Sequence, residues 1–369
     1  MTKHLSDYAA DRVRALAAYV PGEQPTDTGW IKLNTNENPY PPSPAVREAI
    51  LDEVGADGRS LRLYPNPLSA KVRQAIARYH NLDASQVIAG NGSDDILNLL
   101  IRAFGDGSRA VGMTVPSYSL YSVLVAMQGA PLKEVPFDRS MALPVEDILH
   151  CGANLFILTT PNAPTGVGFP NAQLSRILER FDGIFVADEA YAPFADENAV
   201  ALLKKYPNLV VVRTFSKAYG LAGMRLGYAL GDAAVIDMLD RVRDSYNLDR
   251  LAQVAAIAAL EDGAYLAETI ACVRATRAAT EDSLKKRGWF VYPSQSNFVF
   301  AEPKDSDGNA SPALTKHLFD FLKTRKILVR AFPNHPLTST FLRITIGTDS
   351  EMQALNKALD LWQTNAPRA

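Results

Sequence analysis

Cysteine, clustered histidine and charge of one sign are all scarce in this sequence of 369 residues. The two cysteines, Cys151 and Cys272, are too few and too far apart for a disulfide framework or a CxxC metal site. The five histidines have no spacing typical of metal ligands. These absences predict a reducing, cytoplasmic compartment and no metal site.

An excess of positive charge is also missing, because 38 Lys and Arg residues stand against 40 Asp and Glu residues. Clustered positive charge is what nucleic acids and membrane surfaces require, so neither is expected as a partner. Residues 1–20 lack the apolar core of a secretory signal, and the alanine-rich residues 251–273 are interrupted by charges that exclude a membrane span. With 47% hydrophobic and 21% charged residues, the composition is that of a soluble globular protein of two or more domains.

Short apolar runs alternate with longer segments of helical periodicity from about residue 70 to 250. This alternation is typical of a parallel sheet with crossover helices. The predicted strands are residues 86–90, 109–113, 155–160, 184–190, 209–215 and 225–231. The predicted helices between them include residues 94–104 and 171–181, where apolar residues recur on one face.

The pattern of predicted helices and strands changes after about residue 250. A long helix at about 250–288 is predicted to connect to an α+β tail. The strands predicted in this tail are residues 290–294, 297–302, 327–332 and 341–347. The proline-dense NENPYPPSP, residues 36–44, cannot continue a helix and predicts an extended arm. The predicted division is an N-terminal arm with part of the small domain (1–45), a large domain (46–260) and a small α+β domain (261–369).

Two loops that directly follow predicted strands are rich in glycine or proline. Ligands bind at the carboxyl ends of strands in open parallel sheets, so residues from such loops can converge. In GNGSDD, residues 90–95, glycines and the free amides of a helix start suit a phosphate, although a capped helix explains the same residues. A turn such as TTPNAPTG, residues 159–166, is more often structural than functional.

A third loop, VADEAY, ends a predicted strand with Asp188, Glu189 and Tyr191. A carboxylate at that depth needs a cationic or hydrogen-bonding partner. A protonated ring nitrogen would serve, and so would a structural ion pair or a helix cap.

The fourth loop, RTFSKAYGLAGMR, places Lys217 beyond an apolar strand. Lysine is usually a solvated surface residue. Here Thr214, Ser216 and Arg225 could form a phosphate cage, and a partly desolvated lysine beside it would have the lowered pKa of an imine-forming amine. Together the loops offer what pyridoxal 5′-phosphate requires: a lysine, an acid for the ring nitrogen and a phosphate anchor.

These motifs and their order resemble the fold-type I aminotransferases from nearly one end of the chain to the other. The motifs that carry the resemblance are RVRALAAYVPG, IKLNTNENPYPPSP, LRLYPNP, GNGSDDILNLLIRAF, VPSYSLY, PNAPTG, VADEAY, RTFSKAYGLAGMRLGY, SNFVF, ILVRAF and FLRITIG. Within that family the chain is most similar to the histidinol-phosphate aminotransferases. The resemblance implies an α/β fold whose large domain has a mostly parallel seven-stranded sheet flanked by helices, with a smaller α+β domain.

The resemblance also implies roles around pyridoxal phosphate. Lys217 would form the Schiff base and then act as general base, Asp188 would pair with the pyridine nitrogen, Tyr191 would bond the cofactor's phenolic oxygen, and Tyr118 would stack on its ring. The residues implied at the cofactor phosphate are Ser93, Asp94, Thr214, Ser216 and Arg225. Tyr64 would reach the phosphate of the neighbouring subunit, which implies a homodimer with shared active sites.

One position departs from the family pattern. Most members read PNNPTG, and the second asparagine bonds the cofactor's phenolic oxygen, whereas this chain has Ala163 there. Asn162, a water molecule or Tyr191 alone would then take over the contact, and Asn162 is the predicted cofactor ligand. The missing donor predicts a higher imine pKa.

Substrate binding is implied for Tyr19, Arg330 and Arg343. Arg343 matches the family's carboxylate-binding arginine, and the other two match positions that help to hold a substrate phosphate. The predicted reaction converts histidinol phosphate and 2-oxoglutarate to imidazole-acetol phosphate and glutamate. The alternatives are an aromatic or broad-specificity aminotransferase, an amino-acid phosphate decarboxylase, and a non-catalytic protein that binds pyridoxal phosphate.

Overall fold

A computed structural model describes residues 4–365 of the chain. The strands of these residues, in chain order, are β1 (Ile31–Lys32), β2 (Val87–Gly90), β3 (Val111–Val115), β4 (Leu132–Pro136), β5 (Leu155–Thr159), β6 (Ile184–Asp188), β7 (Leu209–Thr214), β8 (Gly227–Leu230), β9 (Phe290–Val291), β10 (Phe298–Glu302), β11 (Ile327–Leu328), β12 (Arg330–Ala331) and β13 (Leu342–Thr345).

Helices fill most of the intervals between the strands. In chain order they are α1 (Asp11–Arg14), α2 (Pro44–Val54), α3 (Ala70–His80), α4 (Ser93–Phe104), α5 (Leu120–Gln128), α6 (Val145–His150), α7 (Asn171–Leu178), α8 (Ala233–Val242), α9 (Arg250–Glu261), α10 (Gly263–Lys286), α11 (Pro312–Thr324) and α12 (Asp349–Asn365). None of the helices in the described chain is both long and apolar enough to cross a membrane.

The large sheet has seven strands in the order β2-β8-β7-β6-β5-β3-β4. All neighbouring pairs are parallel except those of β8, which runs antiparallel to both β2 and β7. Every residue of β5 and β7 is buried, as expected for strands covered by helices on both faces. The prediction of a mostly parallel seven-stranded sheet is therefore confirmed.

Helices cover both faces of this sheet. Along β7, Val210 and Val212 pack in the cluster that contains Ile96 and Leu100 of α4, whereas Val211 packs in the larger cluster on the other side. Side chains alternate between faces along a strand, so one strand supplies two cores. The start of α4 is thereby fixed close to the carboxyl ends of the central strands.

A second sheet of four antiparallel strands has the order β12-β13-β10-β9. Separately, β1 of the N-terminal segment pairs in parallel with β11. The single strand predicted over residues 327–332 is divided at Val329 between these two sheets, because β11 pairs with Ile31 and Lys32 while β12 pairs with β13. The N-terminal segment is thus attached to the C-terminal part of the chain.

The structure differs from the sequence-based expectation at two further places. The helix predicted over about 250–288 is two helices, because Asp262 accepts a hydrogen bond from the Tyr265 backbone N–H and caps α10. Strand β4 was not predicted, because it lies at the sheet edge, exposes charged side chains and ends in Pro136, a residue confined to edges.

Candidate active site

A cavity of about 310 Å³ opens where β6 and β7 end, between the large sheet, the N-terminal segment and the four-stranded sheet. Its walls contain all but two of the residues predicted to bind cofactor or substrate. These are Tyr19, Ser93, Asp94, Tyr118, Asp188, Tyr191, Thr214, Ser216, Lys217, Arg225, Arg330 and Arg343. The strand-end rule accounts for the residues at the ends of β2, β6 and β7, whereas Tyr19 comes from the N-terminal segment and Arg330 and Arg343 come from the four-stranded sheet.

Lys217 lies three residues beyond the end of β7 and is half-buried. Its Nζ donates a hydrogen bond to the backbone carbonyl of Thr35, 3.0 Å away, and lies 6.0 Å from the centre of the Tyr191 ring. Burial lowers the pKa of Lys217 to about 8, and the positive charge of Arg343 acts in the same direction. The unprotonated amine, which a nucleophile or base requires, is therefore far more accessible near neutral pH than in an ordinary lysine, although the protonated form still predominates at pH 7.

Asp188 ends β6 with its side chain buried at the cavity wall. One carboxylate oxygen accepts a short hydrogen bond from the Tyr121 hydroxyl, and the other accepts from the Ala190 backbone N–H at 3.2 Å. Burial raises the pKa of Asp188 to about 6, while these hydrogen bonds oppose the rise. Its neighbour Glu189 forms a buried ion pair with Arg213 at 2.6 Å. The structural ion pair considered for this loop is therefore formed by Glu189. Asp188 faces the cavity without a cationic partner within residues 4–365.

The start of α4 forms a cradle of backbone amides. Gly92 at the N-cap has no side chain to cap the helix, and it adopts a φ of 92°, which favours glycine. A Cβ on Gly92 would lie 2.7 Å from the Arg225 guanidinium, and one on Gly227 would lie 2.3 Å from the Ser93 backbone nitrogen. Glycine at both positions lets a guanidinium and uncapped amides approach one point, which suits a phosphate.

The remaining predicted phosphate ligands surround this cradle. Arg225 donates to the Ser216 hydroxyl at 3.3 Å and lies 3.4 Å from an Asp94 carboxylate oxygen. Thr214 uses its hydroxyl within the loop, donating to the Leu226 carbonyl and accepting from the Ser216 backbone N–H. Thr214 thus shapes the loop that carries Lys217 as well as lining the cavity.

Arg330 and Arg343 face each other directly across β12 and β13. Arg343 donates to the Asn34 carbonyl at 2.9 Å, and its buried Nε has no hydrogen-bond partner in the described chain. Burial lowers the pKa of Arg343, and the charge of Arg330 adds to that effect. Like charges directly opposite in a sheet are unfavourable, so this pair is suited to an anion between the strands.

Aromatic rings enclose the space between the lysine and the arginines. The Tyr118 ring meets the Tyr19 ring edge-on with centroids 6.0 Å apart, and it meets the Tyr121 ring at 5.5 Å. Tyr191 packs edge-on against Phe298 at 5.1 Å, and Ala163 lies in the same cluster. Ala163 reaches the cavity wall without a polar group to offer.

Two predicted ligands lie elsewhere. The Asn162 side chain is fully buried in its turn, donating to the Pro116 carbonyl and accepting from Thr165, and it does not line the cavity. The prediction that Asn162 replaces the missing asparagine is not supported, because its side chain is turned into the protein, where Pro116 and Thr165 bind it, and does not line the cavity. Tyr64 is 78% exposed and stacks on Tyr246, outside the cavity of its own chain.

Sequence reasoning missed three residues of the site. Tyr121 holds Asp188, Asn36 donates from its Nδ2 to the Tyr191 hydroxyl at 2.9 Å, and Glu37 lines the cavity and acts electrostatically on Lys217. Tyr121 lies in the first turn of α5, and Tyr118 precedes that helix, so helical spacing did not link the two. The other two lie in the proline-dense arm, where no local pattern indicates a long-range contact.

Comparison with known proteins places this arrangement in a family. The sequence pattern of aminotransferase class I and II matches residues 28–359. Histidinol-phosphate aminotransferases of Geobacter sulfurreducens and Syntrophotalea carbinolica are 47% and 46% identical to the chain, each over 94% of this chain and 97% of the relative. The solved histidinol-phosphate aminotransferase of Sinorhizobium meliloti, in complex with pyridoxal 5′-phosphate, superposes with a TM-score of 0.86 at 26% identity, covering 97% of this chain and 98% of that one.

The chain belongs to the class I and II aminotransferase family. It is a pyridoxal-phosphate-dependent aminotransferase, as its predicted family resemblance implied. The residues present fit that cofactor on three counts: the Lys217 amine with its lowered pKa, the buried Asp188 carboxylate without a cationic partner in the described chain, and the start of α4 at Gly92 without a side-chain cap.

Proposed function

We propose that the chain transfers the amino group of histidinol phosphate to 2-oxoglutarate, giving imidazole-acetol phosphate and glutamate. The observation that carries this proposal is the pair Arg330 and Arg343, which face each other at the cavity. Two guanidinium groups match a dianionic phosphate better than the single negative charge of a carboxylate. The names of the relatives from Geobacter and Syntrophotalea support the same substrate.

The cofactor's contribution is general to its class: when bound, it supplies an aldehyde that captures the amino group and a ring that withdraws electrons. Tyr121 and the Ala190 backbone hold the Asp188 carboxylate in place. Burial makes this carboxylate more basic than an exposed one, so it would keep a proton on the ring nitrogen. The Lys217 amine takes the proton from the substrate Cα and returns it at the cofactor's C4′ position. Its pKa of about 8 suits this exchange near neutral pH.

The other cavity residues bind and orient. Ser93 and Asp94 through their backbone, together with Ser216 and Arg225, hold the cofactor phosphate. Tyr118 would stack on the ring, and Tyr191 would donate to its phenolic oxygen. These roles are supported by the shared cavity and by the hydrogen bond that joins Arg225 to Ser216.

The substrates take turns in one pocket. The Arg343 guanidinium binds a carboxylate of glutamate or 2-oxoglutarate in one half-reaction. In the other half-reaction Arg343, Arg330 and Tyr19 bind the phosphate of histidinol phosphate. Arg330 also donates to the Val20 and Pro21 carbonyls, each at 3.2 Å, which fixes the segment that carries Tyr19.

A comparison of amino donors tests the substrate. Purified protein with added cofactor and 2-oxoglutarate is expected to use histidinol phosphate with a kcat/KM about 100-fold or more above that for phenylalanine, because the second arginine adds charge-assisted bonds only to a phosphate. Glutamate formation is the measurement. A preference for phenylalanine would establish an aromatic aminotransferase instead, and carbon dioxide release without 2-oxoglutarate would establish a decarboxylase.

We also propose a homodimer with shared active sites. Tyr64 is exposed outside its own cavity, and exposed apolar side chains surround it in sequence, including Leu61, Leu63 and Leu68. A second copy that covers this surface would bring Tyr64 to the partner's cofactor phosphate.

The unpaired thiols Cys151 and Cys272 support a reducing compartment, and we place the enzyme in the cytoplasm. The domain division at about residues 45 and 260 remains part of the proposal.

Mixing two inactive variants tests the shared site. Lys217→Ala and Tyr64→Ala, unfolded and refolded together, are expected to regain about one quarter of the wild-type rate, because half of the dimers are mixed and each has one intact site. Lys217→Ala mixed with itself is the control. Absence of any recovery, with dimers present by sedimentation, would show that Tyr64 serves its own subunit or none.

A further inference from the structure

Asn36 joins three parts of the molecule at the cavity. It is buried in the N-terminal segment, its backbone carbonyl accepts from Asn297 Nδ2 at 2.9 Å, and its backbone N–H donates to the Thr345 hydroxyl at 3.0 Å. Its side-chain amide lies between Thr345 and Tyr191. Its φ of 58° is in the left-handed region, which asparagine tolerates better than most residues.

The hydrogen bonds of Thr345 determine which way the Asn36 amide points. The Thr345 hydroxyl accepts from the Asn36 backbone N–H, so its own proton is free to donate to Asn36 Oδ1 at 3.0 Å. Oδ1 is therefore the acceptor end of the amide, and Nδ2 is the end 2.9 Å from the Tyr191 hydroxyl.

An amide nitrogen can only donate, so the Tyr191 oxygen must accept. The phenolic proton of Tyr191 is then left for another acceptor, and none lies within hydrogen-bond distance in the described part of the chain. Tyr191 lines the cavity, and its ring centre is 6.0 Å from Lys217 Nζ. Ala163 beside it offers no donor of its own.

We propose that Asn36 is a positioning residue, which holds Tyr191 as an acceptor and so directs the phenolic proton to the cofactor oxygen beside Lys217. The inference rests on the proposed role of Tyr191. Burial raises the pKa of Tyr191, and the hydrogen bond from Asn36 acts in the opposite direction. Donation from Asn36 therefore makes the phenol more acidic and a stronger donor. The amide thereby offsets part of what Ala163 lacks.

The test is the pKa at which the absorption spectrum of the bound cofactor changes. A strong donor to the cofactor oxygen favours its negative charge and lowers this pKa. Asn36→Gly removes the amide while keeping the left-handed backbone, and it is expected to raise the pKa by about 0.5. Asn36→Asp places a carboxylate that attracts the phenolic proton, and a larger rise is expected. Asn81→Gly is the matched control, because Asn81 has a φ of 54° at the exposed end of α3 and lies outside the cavity.

Measurements in the Tyr191→Phe background distinguish the positioning role of Asn36 from the proposed role of Tyr191 as a donor to the cofactor. If Tyr191→Phe raises the pKa, and Asn36→Gly raises it in the wild-type background but adds nothing in the Tyr191→Phe background, the inference is supported. If Tyr191→Phe raises the pKa but Asn36→Gly alone does not, Asn36 has no positioning role and the proposed site still stands. If Tyr191→Phe has no effect, the role assigned to Tyr191 is wrong. An equal rise from Asn36→Gly in both backgrounds would also overturn the inference, because it would show that Asn36 acts without the hydroxyl.

Discussion

Lys217→Ala is expected to lower the rate of amino transfer at least about 1,000-fold, because alanine can neither form a bond with the cofactor aldehyde nor move the substrate's α-proton. Among the described residues, Lys217 is the lysine that lines the cavity, so the substitution removes that amine and leaves the other lining side chains in place. Single-turnover measurement of the first half-reaction, with histidinol phosphate in excess, checks the chemical step directly.

Covalent labelling gives an independent readout of the same prediction. Borohydride reduction of the wild-type protein with its cofactor should attach the cofactor to the peptide that contains Lys217, and the variant should remain unlabelled. Lys205→Ala is the control, since Lys205 is an exposed lysine paired with Glu179 and should leave both rate and labelling as in the wild type. Labelling at a different lysine would contradict the assignment.

Replacement of Lys217 by an uncharged residue should also make the apoprotein more stable against unfolding. Burial lowers the pKa of Lys217 from its ordinary value of 10.5 to about 8, so a protonated Lys217 destabilises the folded state. Below about pH 8 this cost is fully present, and it diminishes as the pH rises toward 10.5. Lys217→Met apoprotein should therefore unfold at a higher temperature than wild-type apoprotein at pH 7, with a smaller difference at pH 9.5, and a lower melting temperature at pH 7 would contradict the buried charge.

Sequence patterns brought several predicted residues to one cavity because the order of the strands determines which loops meet. Lys217, Asp188 and Ser93 follow strands β7, β6 and β2, and the carboxyl ends of strands meet at one edge of such a sheet. The exception to a wholly parallel arrangement, β8, does not disturb this, because its turn returns Arg225 to the same edge. Local apolar runs were therefore enough to bring these loops together, whereas Tyr118, Tyr19 and the two substrate arginines were predicted from the family resemblance.

Sequence patterns could not assign a role where it depends on a distant partner. Asp188 and Glu189 are adjacent and equally acidic in sequence, and only the position of Arg213 on β7 shows which of them is in a structural ion pair. Asn162 has the right chemistry for a cofactor ligand, yet its amide is used by Pro116 and Thr165 in the fold. Such assignments require tertiary contacts that periodicity and spacing do not encode.

Arg330→Gln and Arg343→Gln are expected to separate the two half-reactions. Arg330→Gln should lower kcat/KM for histidinol phosphate about 30-fold or more, because one negative charge of the phosphate loses its partner, and it should leave the glutamate half-reaction nearly unchanged. Arg343→Gln should impair both half-reactions by a similar factor, since the same guanidinium meets the carboxylate and the phosphate. Single-turnover rates with each amino donor are the measurement.

The arrangement of the pair explains why the two variants should differ. Arg343 is the more confined residue, with Phe298 and Phe332 each 5.2 Å from its guanidinium and a buried Nε without a partner in the described chain. Arg330 adds positive charge beside it, which a dianion uses and a single carboxylate does not need. Removal of Arg330 should therefore convert a phosphate pocket into a carboxylate pocket, with phenylalanine gaining relative to histidinol phosphate. Arg325→Gln, an exposed change at the end of α11, is the control, and equal losses in both half-reactions for Arg330→Gln would show that the pair does not discriminate between the substrates.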